Sequence, residues 1–191
     1  KKNVLRRYKL SRAALIYCGV YLCLTFVNKL QANQVAQASL TKNNIPSTAF
    51  MTNPTMLNNI LWYAVASNDS HIFIGEYSLL YKEHPITWQT YPRNQHLMQQ
   101  SKSKKDVAVM KWFSDPYTMA QANGDTLKMY AIKFGRTNML ETELDKTFLF
   151  HYKLYQKDGK EMMGMQQANE KNTNFKEGFK DIWERIFGRR Y

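Results

Sequence analysis

Histidines and carboxylates are the residues of this chain that could carry acid–base or metal chemistry, and their spacing favours neither use. The four histidines are His71, His84, His96 and His151. They form no HxxxH or HExxH pair, and none has a carboxylate at a metal-ligand spacing. His151 alternates with apolar neighbours in a strand-like run, which is typical of a histidine satisfied within a sheet. We therefore predict no catalytic residue, no metal site and no cofactor within these 191 residues.

A cluster of acidic residues in the stretch LETELDK is a further candidate for metal chemistry. Glu141, Glu143 and Asp145 alternate there, and carboxylates spaced in this way can hold calcium. The same pattern is more common in a solvated polar loop, and we predict such a loop here. The chain also lacks a nucleophile elbow and a phosphate-binding loop. An enzyme site contained wholly within these residues is therefore not expected.

The strong positive charge of the chain predicts acidic partners. The formal net charge is +12, and six basic residues lie within the first twelve positions. Anionic lipid, nucleic acid and a solvated basic surface all fit this charge. Nucleic acid is not favoured, because the sequence shows no RNA-type aromatic and basic pattern, no zinc-finger spacing and no basic zipper.

The basic N-terminus precedes a run of apolar residues without charge, residues 13–27. As a helix this run spans roughly 22 Å, and with Leu10, Ser11 and a snorkelling Arg12 it approaches the length that crosses a bilayer. We predict a membrane or membrane-adjacent helix; the alternatives are a helix buried in a soluble domain and a secretory signal segment. If the helix spans a membrane, the basic residues before it place the N-terminus in the cytoplasm and everything after residue 40 outside.

The two cysteines, Cys18 and Cys23, lie in this apolar run. A spacing of five residues on a helix turns their side chains about 140° apart, so they cannot form a disulfide with each other. We expect both to be small buried hydrophobic residues.

Turn-forming residues separate the N-terminal segment from the rest of the chain. The stretch Lys42-Asn43-Asn44-Ile45-Pro46-Ser47 ends the helical pattern. We therefore divide the chain into residues 1–40, a basic N-terminus plus a long apolar helix, and residues 46–191, a single domain. Because the chain begins with Lys, we also expect it to be a piece of a longer protein.

Runs of apolar residues predict strands in the second domain. Residues 60–66 are apolar at both parities, so both faces of that strand should be covered, and residues 71–81 complete a hairpin. A second pair involves residues 126–134 and 148–155, and an Asp-Gly turn at 158–159 predicts a returning strand. The prediction is an α+β fold: an antiparallel sheet of two hairpin pairs with a long N-terminal helix, a short middle helix and a C-terminal amphipathic helix.

Two helical patterns flank the later strands. The middle helix begins near Ser103, a predicted N-cap with Asp106 at the capping-box position. The C-terminal helix has apolar residues at regular helical spacing, and Gly188 ends it. These apolar residues are Phe175, Phe179, Ile182, Trp183 and Ile186. We predict a wide apolar stripe with Trp183 facing the core.

Several segments of the chain resemble one protein family. Residues 53–62, NPTMLNNILW, are similar to the P-T-x-x-N-x-x-L-W segment in the C-terminal part of the YdjM/YfhP-like proteins. Those are bacterial inner-membrane proteins described as metal-dependent hydrolases. A basic and apolar helix precedes the segment, as their last membrane helix does. Residues 73–78 resemble a Tyr/Phe-Ile-Gly-x-Tyr-Ser strand of the family, residues 109–135 a stretch that ends in DLRFG, and residues 148–150 the F-x-F strand that follows.

The resemblance, which covers most of residues 10–156, implies a hydrolase context without a metal centre in this chain. The family's metal ligands belong to an H-R-G-x-T-H-type motif in a membrane-embedded N-terminal part that this chain lacks, so a divalent metal is expected only in the full-length protein. The chain would be a non-catalytic, extracytoplasmic domain at the bacterial inner membrane. Its partners would be the membrane and its own N-terminal membrane domain. The alternative is a binding module for an anionic lipid, polymer or peptide.

The family motifs select six candidate binding residues, namely Pro54, Asn58, Trp62, Lys133, Phe134 and Gly135. We expect Trp62, Tyr63 and Phe73 mainly to fill the sheet core. Pro54 and Asn58 should shape the start of the strand, with Asn58 bonding backbone groups. A groove near Trp62 and Lys133 is the candidate ligand site. The chain departs from the family at Ala131 and Lys133, where the family has Asp and Arg.

Overall fold

The chain combines helices with antiparallel sheets, which confirms the predicted α+β class. A computed structural model describes residues 2–55, 57–82, 84–136, 144–157, 160–167 and 175–188. In chain order the elements are α1 (Lys2–Lys42), β1 (Ala49–Pro54), β2 (Leu61–Ser67), β3 (His71–Ser78), β4 (Gln89–Pro92), α2 (Gln95–Gln100), α3 (Lys104–Ser114), β5 (Thr118–Asn123), β6 (Thr126–Ala131), a 3-10 turn (Ile132–Phe134), α4 (Leu144–Thr147), β7 (Phe150–Lys157), β8 (Lys160–Gln167) and α5 (Phe175–Ile186).

The strands divide into two four-stranded sheets, each a simple meander. The first sheet has the order β1-β2-β3-β4, and the second has the order β5-β6-β7-β8. Both predicted hairpin pairs are present: β2 pairs with β3, and β6 pairs with β7. The sequence pattern did not predict β1, β4 or β5, which are short and mix polar with apolar residues. These three strands widen the two predicted pairs into separate sheets.

Both faces of the first sheet are covered, as the apolar run at residues 60–66 predicts. Every residue of β2 is buried. On one face, Trp62 and Ala64 pack against α1; on the other face, Tyr63 and Val65 pack against the second sheet. Alternation along a strand sends successive side chains to opposite faces, so one strand serves both layers.

The far face of the second sheet carries the two middle helices. Met98 of α2 and Met110 of α3 pack there against Ala120, Met129 and Leu154. The layers are therefore α1, the first sheet, the second sheet, and then α2 with α3. Ser103 is the N-cap of α3, as predicted, and its hydroxyl bonds the side chain of Asp106 at 2.5 Å.

Helix α1 is a single element of 41 residues, about 61 Å long at 1.5 Å per residue. Its C-terminal part docks on the first sheet through Ala32, Ala36 and Leu40, which are buried at a spacing of four residues. In its N-terminal part, residues 4–24 are all exposed. The expectation that Cys18 and Cys23 are buried is therefore wrong, since both lie exposed on this part. By length and composition α1 could cross a membrane.

Helix α5 packs on the first sheet with a different face from the one predicted. Its last turn ends at Gly188, whose φ of 68° favours glycine. However, Trp183 is 61% exposed, whereas Arg185 and Ile186 are buried. The prediction that Trp183 faces the core is therefore wrong. The helix is rotated so that Arg185 can reach a buried carboxylate, described below.

Candidate functional site

The segment that carries the family resemblance forms the loop between β1 and β2, and Asn58 organises it. The side-chain oxygen Oδ1 of Asn58 accepts hydrogen bonds from the backbone N–H groups of Ile60 at 2.9 Å and Leu61 at 2.8 Å. Its Nδ2 donates to the hydroxyl of Thr55 at 2.6 Å. Asn58 thus satisfies backbone groups at the start of β2, which is the role expected from the sequence.

The same loop contacts α1 where the exposed apolar part of the helix ends. Nδ2 of Asn59 donates to the hydroxyl of Thr25 at 2.8 Å, and Nδ2 of Asn28 donates to the carbonyl of Asn59 at 3.1 Å. One turn further on, the hydroxyl of Thr52 donates to Oδ1 of Asn33 at 2.6 Å. These polar contacts form a seam that fixes the helix to the first sheet.

Trp62 lies beneath this seam and is not open to a ligand. Its side chain is almost wholly buried against Ala32 and Ala36 of α1, and the ammonium of Lys29 lies 5.8 Å from the ring centre. Pro54 is the register partner of Trp62 at the edge of the sheet. Tyr63 and Phe73 are also buried, so the expectation that these rings fill the sheet core is confirmed.

Lys133, Phe134 and Gly135 lie at the turn that follows β6. The ammonium of Lys133 donates to the backbone carbonyl of Phe113 and lies 5.0 Å from the ring centres of both Phe113 and Phe134. The rings of Phe113 and Phe134 stack at 5.0 Å. Gly135 has a φ of 88° and its N–H donates to the carbonyl of Ile132 at 3.1 Å. The positive φ explains why glycine stands there.

The structure does not bring the side chains of Trp62 and Lys133, the two residues of the candidate groove, into one space. The two segments do touch: Nδ2 of Asn53 donates to the carbonyl of Lys133 at 3.3 Å, and the hydroxyl of Tyr63 donates to the carbonyl of Ile132 at 3.4 Å. However, Trp62 packs on the α1 face of the first sheet, and Ile132 packs on the opposite face. The strand alternation that brings Tyr63 towards the second sheet turns Trp62 away from it.

An ion pair that the sequence analysis missed lies between β3 and α5. The guanidinium of Arg185 donates from Nη1 to both carboxylate oxygens of Glu76 at 2.7 and 2.8 Å. The side chains are only 9% and 2% exposed. Arg185 also pairs with Asp181 at 2.8 Å. Burial raises the pKa of Glu76, and the charge and hydrogen bonds of Arg185 offset part of that rise.

A usable pattern for this pair was present in the sequence. Glu76 is the one charged residue in the apolar run of residues 72–79, and a charge in a strand covered on both faces needs a buried partner. Arg185 lies in the amphipathic C-terminal helix beside the buried Ile186. The pattern does not say which cation is the partner, because α5 is more than a hundred residues away along the chain.

A second polar cluster surrounds Asp145. Its carboxylate accepts hydrogen bonds from the hydroxyl of Tyr130 at 2.5 Å and from the ammonium of Lys128 at 2.6 Å, and Lys153 lies 3.7 Å away. Burial alone would raise the pKa of Asp145, but these two hydrogen bonds outweigh it and lower the pKa. The ring of His151 lies 5.6 Å from that of Tyr130 and is buried, which agrees with a sheet histidine.

The surroundings of Asp145 correct one expectation from the acidic stretch LETELDK. Asp145 lies in α4 and is paired with cations from the second sheet, so it is not in a solvated loop. Glu141 and Glu143 lie outside the described residues.

Neither cluster has the arrangement of a catalytic centre. In each cluster, basic side chains at hydrogen-bond distance neutralise the carboxylate. The contacts hold α5 against β3 in the first cluster and α4 against β6 in the second. Among the described residues, no group of three or more His, Cys, Asp or Glu side chains is placed to hold a metal ion. Comparison with protein families, with curated proteins and with solved structures finds no match to this chain.

Proposed function

We propose that this chain is the membrane-anchored, non-catalytic C-terminal domain of a bacterial inner-membrane hydrolase that resembles the YdjM/YfhP-like proteins. In this proposal the metal centre belongs to a membrane-embedded part upstream, and the domain positions that part or its substrate. The observation that carries the proposal is α1: one unbroken helix is exposed over residues 4–24, carries the apolar run 13–27, and docks on the first sheet through its C-terminal part.

Lipid is the surrounding that best explains the exposed half of α1. Large apolar side chains project from it on all sides, among them Leu10, Leu15, Ile16, Leu22 and Phe26. Burying one such side chain contributes on the order of 1.5–3 kcal/mol. A continuous exposed apolar surface of this kind marks a membrane or protein contact, and the residues cover the full circumference of the helix, as lipid requires.

The seam supports a positioning role for the residues of the family motif. Asn58 holds the loop, Asn59 and Thr52 bond α1, and Trp62 fills the space beneath the helix. No flexible linker separates the exposed part of α1 from the docked part. Under the proposal, the motif fixes the orientation of the domain relative to the bilayer and is not itself a ligand site.

The proposed orientation follows from the charges that flank the apolar part of α1. Arg6, Arg7, Lys9 and Arg12 are exposed ahead of it, whereas only Lys29 and Lys42 follow within the helix. The excess of positive charge before the span favours a cytoplasmic N-terminus and an extracytoplasmic domain. The four basic residues would then lie near anionic headgroups of the cytoplasmic leaflet.

Membrane extraction of the full chain tests the anchoring. We expect the protein to remain in the membrane pellet in alkaline carbonate and to be released by detergent. The double variant Ile16→Arg/Leu22→Arg is the matched control; because it charges the exposed part without touching the seam, it should move to the carbonate supernatant. Release of the wild-type chain by carbonate would refute the proposal.

Two further measurements test orientation and the lack of catalysis. A C-terminal alkaline phosphatase fusion should be active and a C-terminal green fluorescent protein fusion dark if the domain is extracytoplasmic; the reverse pattern refutes the orientation. The purified chain should show no hydrolysis above background with added Zn²⁺, Mn²⁺ or Mg²⁺. A metal-dependent rate that survives repurification would overturn the non-catalytic assignment.

A further inference from the structure

Helix α5 presents an aromatic face to the outside of the domain. Phe179 and Trp183 of the helix and Phe187, in the turn directly after it, follow one another at intervals of four residues and are all exposed. The rings of Trp183 and Phe187 lie 5.1 Å apart, and Lys180 on the neighbouring side of the helix is also exposed. Three large aromatic residues in one exposed stripe are unusual for a surface that faces only water.

A short chain of contacts places the end of α5 beside the point where α1 leaves the domain. The hydroxyl of Ser78 donates to the carbonyl of Ile186 at 2.6 Å. The next residue, Leu79, donates its N–H to the carbonyl of Ile60 at 2.9 Å. Asn59, which precedes Ile60, bonds Thr25 at the end of the exposed part of α1. The aromatic face and the apolar part of α1 therefore belong to the same end of the first sheet.

Two exposed leucines lie at this same end. Leu57, 77% exposed, belongs to the loop between β1 and β2, and Leu80, 57% exposed, follows the end of β3. Trp88 faces the other part of the docked length of α1, where its Nε1 donates to the hydroxyl of Ser39 at 3.0 Å. Ser39 is eleven residues beyond Asn28 on α1, or roughly 16 Å further from the exposed part.

We propose that α5 is an interfacial helix whose aromatic face, Phe179, Trp183 and Phe187, lies in the headgroup region of the bilayer that α1 crosses. Tryptophan and phenylalanine beside a cation are the side chains that interfacial helices place there. The ion pair between Arg185 and Glu76 fixes the rotation of α5, so the aromatic face is held outward. This inference rests on the membrane anchoring proposed above.

Tryptophan quenching in reconstituted vesicles tests the interfacial helix. The full chain is placed in vesicles made with lipids brominated on the acyl chain near the headgroup, and its fluorescence is compared with that in unbrominated vesicles. We expect Trp183→Phe to lose at least half of the quenching that the wild-type chain shows. Trp88→Phe is the matched control and should keep it, because the indole of Trp88 bonds Ser39, roughly 16 Å along α1 from Asn28. Both variants retain an aromatic ring, so folding should be preserved.

The possible outcomes separate this inference from the anchoring. Carbonate extraction of the same vesicles reports insertion of α1; a chain that is extracted refutes both proposals. If the chain stays inserted and Trp183→Phe keeps full quenching, only the interfacial helix is overturned. Iodide in the aqueous phase distinguishes the remaining case: a Trp183 shielded from both iodide and brominated lipid would be covered by protein, which also overturns the assignment to lipid.

Discussion

The buried ion pair between Glu76 and Arg185 gives a prediction whose size can be worked from the structure. Replacing Arg185 by Met removes both hydrogen bonds to a carboxylate whose side chain is 2% exposed, and removes the ion pair with Asp181 as well. Leaving one charge of a buried pair uncompensated costs about 3–5 kcal/mol. For a chain of this size, that corresponds to a fall in Tm of roughly 6–20 °C.

The double variant and a second ion pair on the same helix make the test specific. Glu76→Leu/Arg185→Met should recover more than half of the loss, because replacing a buried pair by apolar residues is often near neutral. Lys180, whose side chain is 72% exposed, pairs with Glu184 at 3.8 Å, so Lys180→Ala should cost less than about 0.5 kcal/mol. Thermal unfolding of the detergent-solubilised chain, followed by near-UV circular dichroism, measures all four proteins. The pair does not have the assigned role if Arg185→Met lowers Tm no more than Lys180→Ala does, or if the double variant is as unstable as Arg185→Met alone.

Substitutions at three further sites, with their controls, test the loop, the packing of β3 and the second polar cluster. Asn58→Ala should lower the free energy of unfolding by about 1–3 kcal/mol, because two backbone N–H groups lose their acceptor; Asn58→Asp keeps the acceptor and should cost less. Gly75→Ala should cost about 1–3 kcal/mol, because a Cβ there would lie 2.4 Å from Cγ2 of Ile86, whereas Gly164→Ala meets only an ordinary contact at 3.6 Å. Since folding lowers the pKa of Asp145, its contribution is present above the unfolded-state pKa and is lost as the pH falls through the folded-state value. Asp145→Asn should therefore flatten the loss of stability below about pH 4.

Each of these three predictions has a result that would contradict it. Chemical denaturation at neutral pH compares Asn58→Ala with Asn58→Asp, and Gly75→Ala with Gly164→Ala. Equal unfolding midpoints within the first pair would exclude the lost acceptor as the cause, and equal midpoints within the second pair would exclude the steric contact. For Asp145, unfolding midpoints are collected from pH 7 down to about pH 2. A variant curve parallel to the wild-type curve would show that Asp145 does not contribute to acid sensitivity.

The strongly patterned elements were predictable from the sequence, because their patterns arise from local burial. The strand at residues 60–66, the hairpin to β3, the start of α3 at Ser103 and the end of α5 at Gly188 all follow the expected positions. The short strands β1 and β4 were missed because their pairing depends on neighbours from elsewhere in the chain. Intrinsic β-propensity predicts such edge strands poorly, because what their residues favour depends on the neighbours they pack against.

For the candidate site, the role of the loop between β1 and β2 was predictable from the sequence, but the layer in which each site residue lies was not. The role of Asn58 follows from the local chemistry of an asparagine two and three residues ahead of the amides that it bonds. Trp62 and Lys133 were grouped by family motif, but Trp62 packs against α1, whereas the ammonium of Lys133 lies against Phe113 and Phe134. Which layer covers each side chain depends on contacts between distant parts of the chain. The rotation of α5 could not be read from its apolar periodicity, since the buried Glu76 favours Arg185 over Trp183 at the contact.

Under the proposed membrane anchoring, the unbroken course of α1 has a mechanical consequence. The docked length from Asn28 to Lys42 is about 22 Å, and transmembrane helices commonly tilt by about 20° when the hydrocarbon thickness does not match their own length. Because the helix bears the domain without a hinge, such a tilt would swing its outer end sideways by roughly 7 Å. The thickness of the surrounding bilayer would then determine how far the β-rich domain lies from the membrane surface and how strongly it is tilted.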